Sequence, residues 1–247
     1  MLTEQRYEII LKLLEEKNSI TVAEVKDLLN TSESTVRRDI TALHNAGKLV
    51  KVFGGAVALD RTVATHEPTV EQKATMNVEA KQLVAARAAA LIQPEDFVYL
   101  DAGTTTASML SFLTEKSAIF VTNAVAHAKT LAAAGFRVYL VGGELKGSTE
   151  AVVGNQALMN LQSYHFTKGF FGTNGISRQS GLTTPDMNEA MVKKTAMGQC
   201  RECFILADHS KFGNVSSVTF GAFQSGTILT DGCPEEYKSS GNVVICG

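Results

Sequence analysis

The sequence contains no long apolar run, and this absence argues against a membrane-spanning helix. No stretch approaches the roughly 20 apolar residues that a helix needs to cross a bilayer. The N-terminal MLTEQRYEII also lacks the basic start, apolar run and small-residue cleavage site of a secretory leader. Hydrophobic residues make up 45% of the chain, enough for a sizeable core. We therefore expect a cytoplasmic protein without a membrane partner.

An excess of basic residues is also missing. The formal net charge of -2 over 247 residues gives no whole-chain attraction to polyanions. Any surface for nucleic acid must then be a local patch. The length allows one large domain, or a small domain joined to a medium one.

Cysteine is scarce and poorly spaced for binding metal. Cys200 and Cys203 form the motif CREC, whereas Cys233 and Cys246 stand alone. A lone CxxC followed by widely spaced single cysteines is a poor match to the paired ligands of zinc sites, and a redox pair is a second alternative. Small thiols packed near the start of the strand CFILAD are the favoured interpretation. We expect no metal and no cofactor.

The N-terminal region has the periodicity of short amphipathic helices. The segments RYEIILKLLE and TVAEVKDLL each place apolar residues on one helical stripe. These stripes consist of Ile9, Ile10, Leu13 and Leu14, and of Val22, Val25, Leu28 and Leu29. Asn30 then tolerates the left-handed backbone that ends a helix, and Ser32 can cap a third helix. We expect this third helix to reach about Asn45 and to stop at Gly47.

The third helix, which begins in TSESTVRRDI, has one apolar and one polar face. At about 100° per residue, the apolar face holds Val36, Ile40 and Leu43. Ser34, Arg38 and Thr41 lie opposite, with Arg37 on the flank. Small side chains let a backbone approach DNA, and arginines reach guanine edges or phosphates. This pattern is typical of a helix-turn-helix recognition helix that enters the major groove.

The next segment, KLVKVFGGAVAL, alternates apolar and polar residues around Gly54 and Gly55. It predicts two short strands joined by a turn, which is the wing of a winged helix-turn-helix domain. Lys48 and Lys51 would then lie beside DNA phosphates.

A competing interpretation treats the arginines as an ordinary solvated pair. Glu33 and Asp39 lie close enough in sequence to neutralise them, and positions 1–57 hold eight basic and eight acidic residues. Periodicity and charge alone leave this alternative open.

Motif order favours DNA binding. The sequence TVAEVKDLLNTSESTVRRDITALHNAGKLVKVFGGA resembles the N-terminal domain of DeoR-type bacterial transcriptional regulators. In that family a hydroxyl-rich turn precedes T-[IV]-R-R-D-L, and here Ile40 stands where the leucine is usual. The resemblance implies a DNA-reading helix that includes Ser32, Ser34, Thr35, Arg37 and Arg38.

Residues 58–74 are predicted to be a linker between a DNA-binding domain, 1–57, and a second domain, 75–247. The stretch LDRTVATHEPTVEQKATMN is polar, has little apolar periodicity and contains Pro68. Beyond it, helical stretches alternate with the apolar runs FVYLDAG, AIFVTN, RVYLVGG, KGFFGTNG, CFILADHS and TILTDG. Such alternation predicts a three-layer α/β domain, a mainly parallel sheet with helices on both faces.

Polar residues follow the predicted strands, where ligands collect in such sheets. In DAGTTT, 101–106, backbone N–H groups and threonine hydroxyls could hold a phosphate at a helix start. A plain glycine turn with a threonine cap explains the motif equally well. Further strand ends carry Asn123, Gly142 with Gly143, Gly172–Gly175, and Asp208 with Lys211.

The segment TTPDMNEAMVKK adds acidic and basic groups. Asp186 and Glu189 have capping-box spacing, and Glu189 and Lys193 could form an ordinary surface pair four residues apart. With Asp101 and Lys211 they could instead converge on a phosphorylated, polyhydroxylated ligand. Lysines would meet the phosphate and carboxylates the hydroxyls.

The order of these motifs resembles the C-terminal sensor domain of DeoR-type regulators. That domain is similar in fold to ribose-5-phosphate isomerase, and the family typically binds phosphorylated sugars. The resemblance implies an effector site formed by Asp101, Gly103, Thr104, Thr105, Thr106, Asn123, Gly142, Gly143, Glu189, Lys193, Asp208 and Lys211. Many relatives carry an arginine where this chain has Lys73, and an ammonium cannot form the two-pronged contact of a guanidinium.

Two functions follow from the sequence. The first is a homodimeric or tetrameric repressor of a sugar operon that binds double-stranded operator DNA and responds to a sugar phosphate. Similarity to regulators of fructose phosphotransferase operons favours fructose 1-phosphate, ahead of tagatose 6-phosphate and other hexose phosphates. The alternative is a sugar-phosphate isomerase-like enzyme with an accessory DNA-binding domain, which would need a poised general base. The N-terminal domain favours the repressor, which is not an enzyme.

Overall fold

The computed structural model describes residues 3–17, 19–46, 48–52, 54–58 and 70–247, and the chain divides into two compact units. The first unit spans residues 1–62 and the second residues 63–247. This division falls within the predicted linker, of which residues 59–69 lie outside the described ranges. The domain bounds 1–57 and 75–247 stay predictions.

The first unit combines three helices with a small antiparallel sheet. Its elements are α1 (Thr3–Lys17), β1 (Ser19–Thr21), α2 (Val22–Leu29), α3 (Glu33–Asn45), β2 (Leu49–Val52) and β3 (Gly55–Ala58). Strand β3 lies between β1 and β2 and runs antiparallel to both. The expected third-helix stripe of Val36, Ile40 and Leu43 is buried in the core of this unit. The winged helix-turn-helix fold is confirmed.

Local chemistry explains where the helices begin and end. Thr21 and Glu24 form a capping box at the start of α2. Asn30 ends that helix in the left-handed region, with φ 46°, and the Ser32 hydroxyl accepts a hydrogen bond from the Thr35 N–H at 3.2 Å. Gly47, which we expected to stop α3, lies outside the described residues.

One expected core position of α2 is wrong. Leu28 is 54% exposed, whereas Val22, Val25 and Leu29 are buried. At about 100° per residue, Leu28 lies roughly a quarter-turn from Leu29, off the stripe that the other three residues define.

Seven helices of the second unit are α4 (Val70–Ala74), α5 (Val78–Ala89), α6 (Thr104–Met109), α7 (Val125–Ala133), α8 (Asn155–Gln162), α9 (Met187–Gly198) and α10 (Glu235–Lys238). Single 3₁₀ turns span Leu110–Phe112 and His209–Lys211. Helix α4 falls within the stretch predicted as a linker.

The strands of the second unit form one large sheet and two small ones. They are β4 (Phe97–Leu100), β5 (Ile119–Thr122), β6 (Arg137–Leu140), β7 (Glu144–Lys146), β8 (Ala151–Val153), β9 (Phe166–Gly172), β10 (Gly175–Ser177), β11 (Gly181–Thr184), β12 (Cys200–Leu206), β13 (Val218–Gly221), β14 (Thr227–Thr230) and β15 (Val243–Ile245). The large sheet has the order β15-β14-β12-β9-β4-β5-β6. All its neighbouring strands are parallel.

Two hydrophobic cores lie on opposite faces of the large sheet. Successive residues of one strand alternate between them, so that Phe170 belongs to one core and Phe171 to the other. Helices α5, α6 and α7 contribute to the core that contains Phe170, and α8 and α9 contribute to the other. This three-layer arrangement confirms the expected α/β fold.

The expected strands β4, β5, β6, β9, β12 and β14 are present, but the sequence did not predict the small sheets. Strands β7 and β8 form a hairpin, and β10, β11 and β13 form an antiparallel sheet. Most of these strands have only three or four residues, too few for alternation to be recognised. Within the described ranges, no helix is long and apolar enough to cross a bilayer.

Candidate functional site

A cleft opens at the carboxyl ends of β4 and β9, two neighbouring strands in the middle of the large sheet. On one side of β4 the next strands of the sheet are β5 and β6. On the opposite side of β9 the next strands are β12, β14 and β15. Ligands of open α/β sheets bind at such a reversal of strand order. The empty volume of the cleft, including space open to solvent, is about 710 Å³.

The cleft brings together more than half of the residues proposed from sequence. Seven of the twelve line it: Gly103, Thr104, Thr105, Glu189, Lys193, Asp208 and Lys211. They come from the β4–α6 loop and α6, from α9, and from the turn after β12. Residues far apart in sequence therefore meet because parallel strands end at one edge of the sheet.

The other five proposed residues lie outside the lining. Asn123 braces the loop instead: its Oδ1 accepts hydrogen bonds from the Tyr99 hydroxyl at 3.0 Å and the Ala102 N–H at 2.9 Å. The Thr106 hydroxyl donates to the Asp101 carbonyl at 2.7 Å. These contacts hold the DAGTTT segment in shape.

Gly142 contacts α8, and Gly143 packs against the β7–β8 hairpin. The Gly142 N–H donates to Asn160 Oδ1 at 3.0 Å. Gly143 has φ +150°, and a Cβ there would lie 2.5 Å from the Val153 carbonyl oxygen. The glycine is therefore needed for a close backbone approach rather than for contact with the cleft.

Asp101 lies directly behind the cleft and anchors one of its lysines. Its side chain is 1% exposed, and its Oδ2 accepts hydrogen bonds from Lys193 Nζ and, at 3.0 Å, from the Gly172 N–H. Burial raises the pKa of Asp101 above its ordinary value, and the Lys193 charge opposes this rise. Lys193 Nζ also donates to the Gly172 carbonyl at 3.0 Å, so the ion pair joins α9 to the ends of β4 and β9.

Glu189 is held by groups from the β7–β8 hairpin. Its Oε1 accepts hydrogen bonds from Lys146 Nζ at 2.9 Å and from the Thr149 hydroxyl at 2.6 Å. Lys146 also pairs with Asp186 at 3.1 Å. Asp186 caps α9 by accepting the Glu189 N–H at 2.9 Å, so the expected cap and the placement of Glu189 in the cleft coexist.

Asp208 has no exposed surface, and its two carboxylate oxygens differ in their surroundings. Oδ1 accepts hydrogen bonds from Asn77 Nδ2 at 2.9 Å and from the Ser210 N–H at 3.0 Å. Oδ2 receives no hydrogen bond from the residues the structure describes and lies 3.7 Å from Lys211 Nζ. Burial would raise the pKa of Asp208, but the Ser210 hydrogen bonds and the Lys211 charge outweigh it, and the pKa is lowered.

Sequence reasoning missed Lys81, which lines the cleft from α5. Its side chain is buried, and Nζ donates to the backbone carbonyl of Lys73 at the end of α4. Burial lowers the pKa of Lys81, which the nearby Asp208 charge partly offsets. The available signal was a lysine on the helical stripe of Val84, Ala85 and Ala88, all of which are buried.

The lining of the cleft carries more positive than negative charge. Its charged side chains are four lysines and two carboxylates: Lys73, Lys81, Lys193, Lys211, Glu189 and Asp208. Ammonium groups bind phosphate, and carboxylates accept hydrogen bonds from hydroxyls. The arrangement suits a small ligand that carries both a phosphate and hydroxyl groups. In the part of the chain that the structure describes, no group of three or more His, Cys, Asp or Glu could hold a metal.

In the first unit, the residues proposed for DNA form one largely exposed surface on α3 and the wing. Ser34, Arg37, Arg38, Lys48 and Lys51 are exposed. Thr35 and Thr41 are half-buried, and Ser32, also exposed, serves as the helix cap. The Lys51 ammonium donates to the Thr41 hydroxyl at 2.9 Å, which links the wing to α3.

The structure supports one half of the competing interpretation of the two arginines and corrects the other half. Glu33 pairs with Arg37, at 3.5 Å on the exposed surface. Asp39 is 4% exposed and pairs with Arg6 of α1 instead, at 2.7 Å. Because Asp39 faces inward, it does not cancel the charge of the exposed arginines.

The two units define a class of protein: a winged helix-turn-helix DNA-binding unit joined to an α/β unit with a lysine-rich cleft at the carboxyl ends of its strands. Residues 6–62 match the DeoR-like helix-turn-helix domain, and residues 76–232 match the DeoR C terminal sensor domain. The chain belongs to the DeoR family of transcriptional regulators.

Curated relatives match nearly the whole chain. The "Uncharacterized HTH-type transcriptional regulator FruR" of Bacillus subtilis (strain 168) is 39% identical over 236 residues, which cover 95% of this chain and 93% of the relative. The lactose phosphotransferase system repressor of Streptococcus mutans is 32% identical over 241 residues, covering 96% and 95%. The same-named repressor of Staphylococcus aureus is 33% identical over 237 residues, covering 95% and 94%.

Solved structures similar to the chain include two ribose 5-phosphate isomerases. The protein from Methanocaldococcus jannaschii has a TM-score of 0.41 and 16% identity over 55% of each chain. The protein from Neisseria gonorrhoeae has a TM-score of 0.43 and 13% identity, covering 57% of this chain and 56% of the other. At such scores the likeness says nothing about activity.

Proposed function

We propose that the chain is a DNA-binding repressor of a sugar uptake or catabolism operon, acts in the cytoplasm and is released from DNA by a phosphorylated sugar. One observation carries the proposal: a lysine-rich cleft lies where the strand order reverses, in a chain that also has a winged helix-turn-helix unit. The relatives named as lactose phosphotransferase system repressors support it.

The proposed DNA surface consists of α3 and the wing. Arg37 and Arg38 reach base edges or phosphates, while Lys48 and Lys51 contact phosphates. Ser34 and Thr41 let the helix backbone approach the groove. Exposure of the arginine and lysine side chains supports these roles. We propose the domain bounds 1–57 and 75–247, with residues 58–74 between them.

The proposed effector is a sugar phosphate bound in the cleft. Lys81, Lys193 and Lys211 bind its phosphate, and Glu189 and Asp208 accept hydrogen bonds from its hydroxyls. Fructose 1-phosphate is the first candidate, because the relative at 39% identity is named FruR. Tagatose 6-phosphate and other hexose phosphates follow as further candidates. The relatives at 32% and 33% identity are named lactose phosphotransferase system repressors, which supports a sugar-related effector.

The cleft binds its ligand without converting it. A general base must have a pKa near the working pH, whereas hydrogen bonds and the Lys211 charge lower the pKa of Asp208. Glu189 is already held by Lys146 and Thr149. Incubation with ribose 5-phosphate should therefore yield no ribulose 5-phosphate above the background rate, and steady turnover would instead support an isomerase-like enzyme.

The chain acts on DNA as a homodimer or tetramer. Helix-turn-helix proteins usually read paired half-sites one helical turn or a multiple apart, which needs two DNA-binding units. Light scattering of the purified chain, alone and with DNA, measures the number of subunits.

The DNA-binding proposal is tested with Arg38→Ala. Arg38 is exposed on α3, so its removal should weaken binding to a duplex from the chain's own promoter region by about 10-fold or more, the scale of a lost base contact. Fluorescence anisotropy measures the affinity, and calorimetric titration with sugar phosphates checks that the cleft still binds. Lys12→Ala, an exposed change on α1, is the control. Unchanged affinity in Arg38→Ala would remove Arg38 from the DNA surface.

A further inference from the structure

The proposed DNA-reading helix carries an acidic residue that its function does not explain. Asp39 follows Arg38 in α3, and a carboxylate beside DNA repels the phosphates. Its side chain faces inward and is almost fully buried. Inside the unit it meets Arg6, which lies on α1 and is 33 residues away in sequence.

The contact between these two residues is directional. Arg6 Nε donates to Asp39 Oδ2 at 2.7 Å, and Arg6 Nη2 donates to Asp39 Oδ1 at 3.0 Å. Two parallel hydrogen bonds fix the relative orientation of a guanidinium and a carboxylate, whereas a single ammonium acts as a point charge. The pair therefore adds a directional constraint on the orientation of α3 against α1, which hydrophobic burial alone does not supply because it is non-directional.

The pair lies next to the groups proposed to read DNA. Arg6 and Asp39 line a shallow depression of the first unit together with Thr35 and Arg38. Arg38 precedes Asp39 by one residue on α3, so a rotation of the helix that displaces one displaces the other. A recognition helix must hold its side chains to within about 0.5 Å and 10–20° to keep specific contacts.

We propose that Arg6 and Asp39 are positioning residues for operator recognition: their paired hydrogen bonds hold α3 in the rotation that presents Arg38 to the bases. The inference rests on the proposed DNA-binding function. Neither residue needs to touch DNA, and the carboxylate on the reading helix is tolerated because Arg6 neutralises it inside the unit.

Charge and positioning predict opposite results for Asp39→Asn. Removing the negative charge of Asp39 from the inward-facing side of the recognition helix, close to the DNA-binding surface, should by itself strengthen binding. Losing the two-pronged contact should instead weaken specific binding by about 10-fold or more, the scale of one lost base contact. Affinity for random-sequence DNA, which depends on phosphates, should stay unchanged or rise.

The experiment uses the full chain and a duplex that the wild-type chain selects from a random-sequence pool. Fluorescence anisotropy gives the affinity of each variant for the selected duplex and for a random duplex at several salt concentrations. Glu33→Gln is the matched control, because Glu33 is an exposed acid on the same helix. Arg6→Lys keeps the positive charge but cannot form the two parallel hydrogen bonds of the guanidinium. Circular dichroism checks that each variant folds.

The expected result is that Asp39→Asn and Arg6→Lys lose affinity for the selected duplex. Their affinity for the random duplex should stay unchanged or, in Asp39→Asn, rise. Glu33→Gln should bind both duplexes at least as tightly as the wild type. Wild-type affinity in Arg6→Lys, or an equal loss on both duplexes, would overturn the positioning role. If Asp39→Asn does not fold, the affinities of Arg6→Lys for the two duplexes test the positioning role by themselves. Failure of the wild-type chain to select any sequence would contradict the proposed function itself.

Discussion

Two lysines of the cleft, Lys81 and Lys193, are almost entirely buried, although lysine is rarely buried without a partner. Lys193 has a charged partner in Asp101, and Lys81 donates to the backbone carbonyl of Lys73. A phosphate that reached Lys81 would be a stronger partner than a neutral carbonyl, since it adds the attraction between opposite charges to the hydrogen bond. The cleft thus holds a buried ammonium suited to an anion.

Lys211 offers a clean test of phosphate binding, because it lines the cleft and keeps 29% of its side chain exposed. Lys211→Gln should weaken sugar-phosphate binding by about 10- to 100-fold, the range for a lost hydrogen bond to a charged group. Isothermal titration calorimetry with fructose 1-phosphate and tagatose 6-phosphate measures the loss.

Lys194→Gln is the control, because Lys194 is exposed on α9 and does not line the cleft. The control should bind as the wild type does. Equal affinities in the two variants would remove Lys211 from the effector site.

His127, on α7, should make stability depend on pH. Burial lowers its pKa to about 4, although a hydrogen bond to the Gly103 backbone acts the other way. The unfolded chain binds this proton at about pH 6.5 and the folded chain does not, so stability is lost as pH falls from about 6.5 towards 4. Between pH 7 and pH 5 the loss from this one group is about 2 kcal/mol.

Urea unfolding of the wild type and of His127→Gln at both pH values measures this effect. The variant should lose about 2 kcal/mol less than the wild type between pH 7 and pH 5. Asp96, Asp186 and Asp208 have lowered pKa values, so their stabilisation is lost below their ordinary value of 3.8, outside this range. Parallel losses in the two proteins would contradict the assignment to His127.

Residue types at strand ends were predictable from sequence, but their individual roles were not. Asp101 and Asn123 both follow strands, yet Asp101 anchors Lys193 and Asn123 braces the Ala102 N–H. Which carboxylate faces the cleft depends on the exact end of each strand, since side-chain direction alternates along it. The place of Lys81 in the cleft was not predicted, because a single lysine in an alanine-rich helix is usually exposed to solvent.

At the scale of elements, α9 carries both Glu189 and Lys193 into the cleft, and Asp186 fixes where it begins. Asp186→Ala should lower the free energy of unfolding of the α/β unit by about 1 kcal/mol more than Asp186→Asn does. Asparagine keeps a cap for the Glu189 N–H and loses only the charge that pairs with Lys146, a partly exposed contact of small value.

Circular dichroism follows the urea transition, because the chain contains no tryptophan for fluorescence. A free energy that is the same in both variants would mean that the cap adds nothing to the stability of α9.

Short apolar runs and glycine turns were enough to predict the helices of the first unit and six of the seven strands of the large sheet, whereas β15 was not predicted. Strands β9 and β12 were identifiable because buried parallel strands are apolar on both faces. The β7–β8 hairpin was not, although it supplies Thr149 and Lys146 around Glu189. Three-residue strands derive their stability from tertiary contacts, which leave no periodic pattern in the sequence.

At the scale of the whole molecule, a repressor requires that DNA and effector oppose each other. If the sugar phosphate weakens DNA binding by a given factor, DNA must weaken sugar-phosphate binding by the same factor, because both follow from one coupling free energy. Typical couplings of about 1–3 kcal/mol correspond to factors of about 5–150. In the proposed function, the winged helix-turn-helix unit is the DNA site and the cleft is the sugar-phosphate site that this coupling free energy connects.

The most direct test is a fluorescence-anisotropy titration of the full chain onto DNA from its own promoter region, repeated at increasing fructose 1-phosphate, tagatose 6-phosphate and free inorganic phosphate. We expect the chain to bind this DNA tightly and one sugar phosphate to weaken the binding by about 5-fold or more. Inorganic phosphate at the same concentration should have little effect. DNA affinity that no sugar phosphate changes would contradict the proposal that the lysine-rich cleft controls the DNA-binding unit.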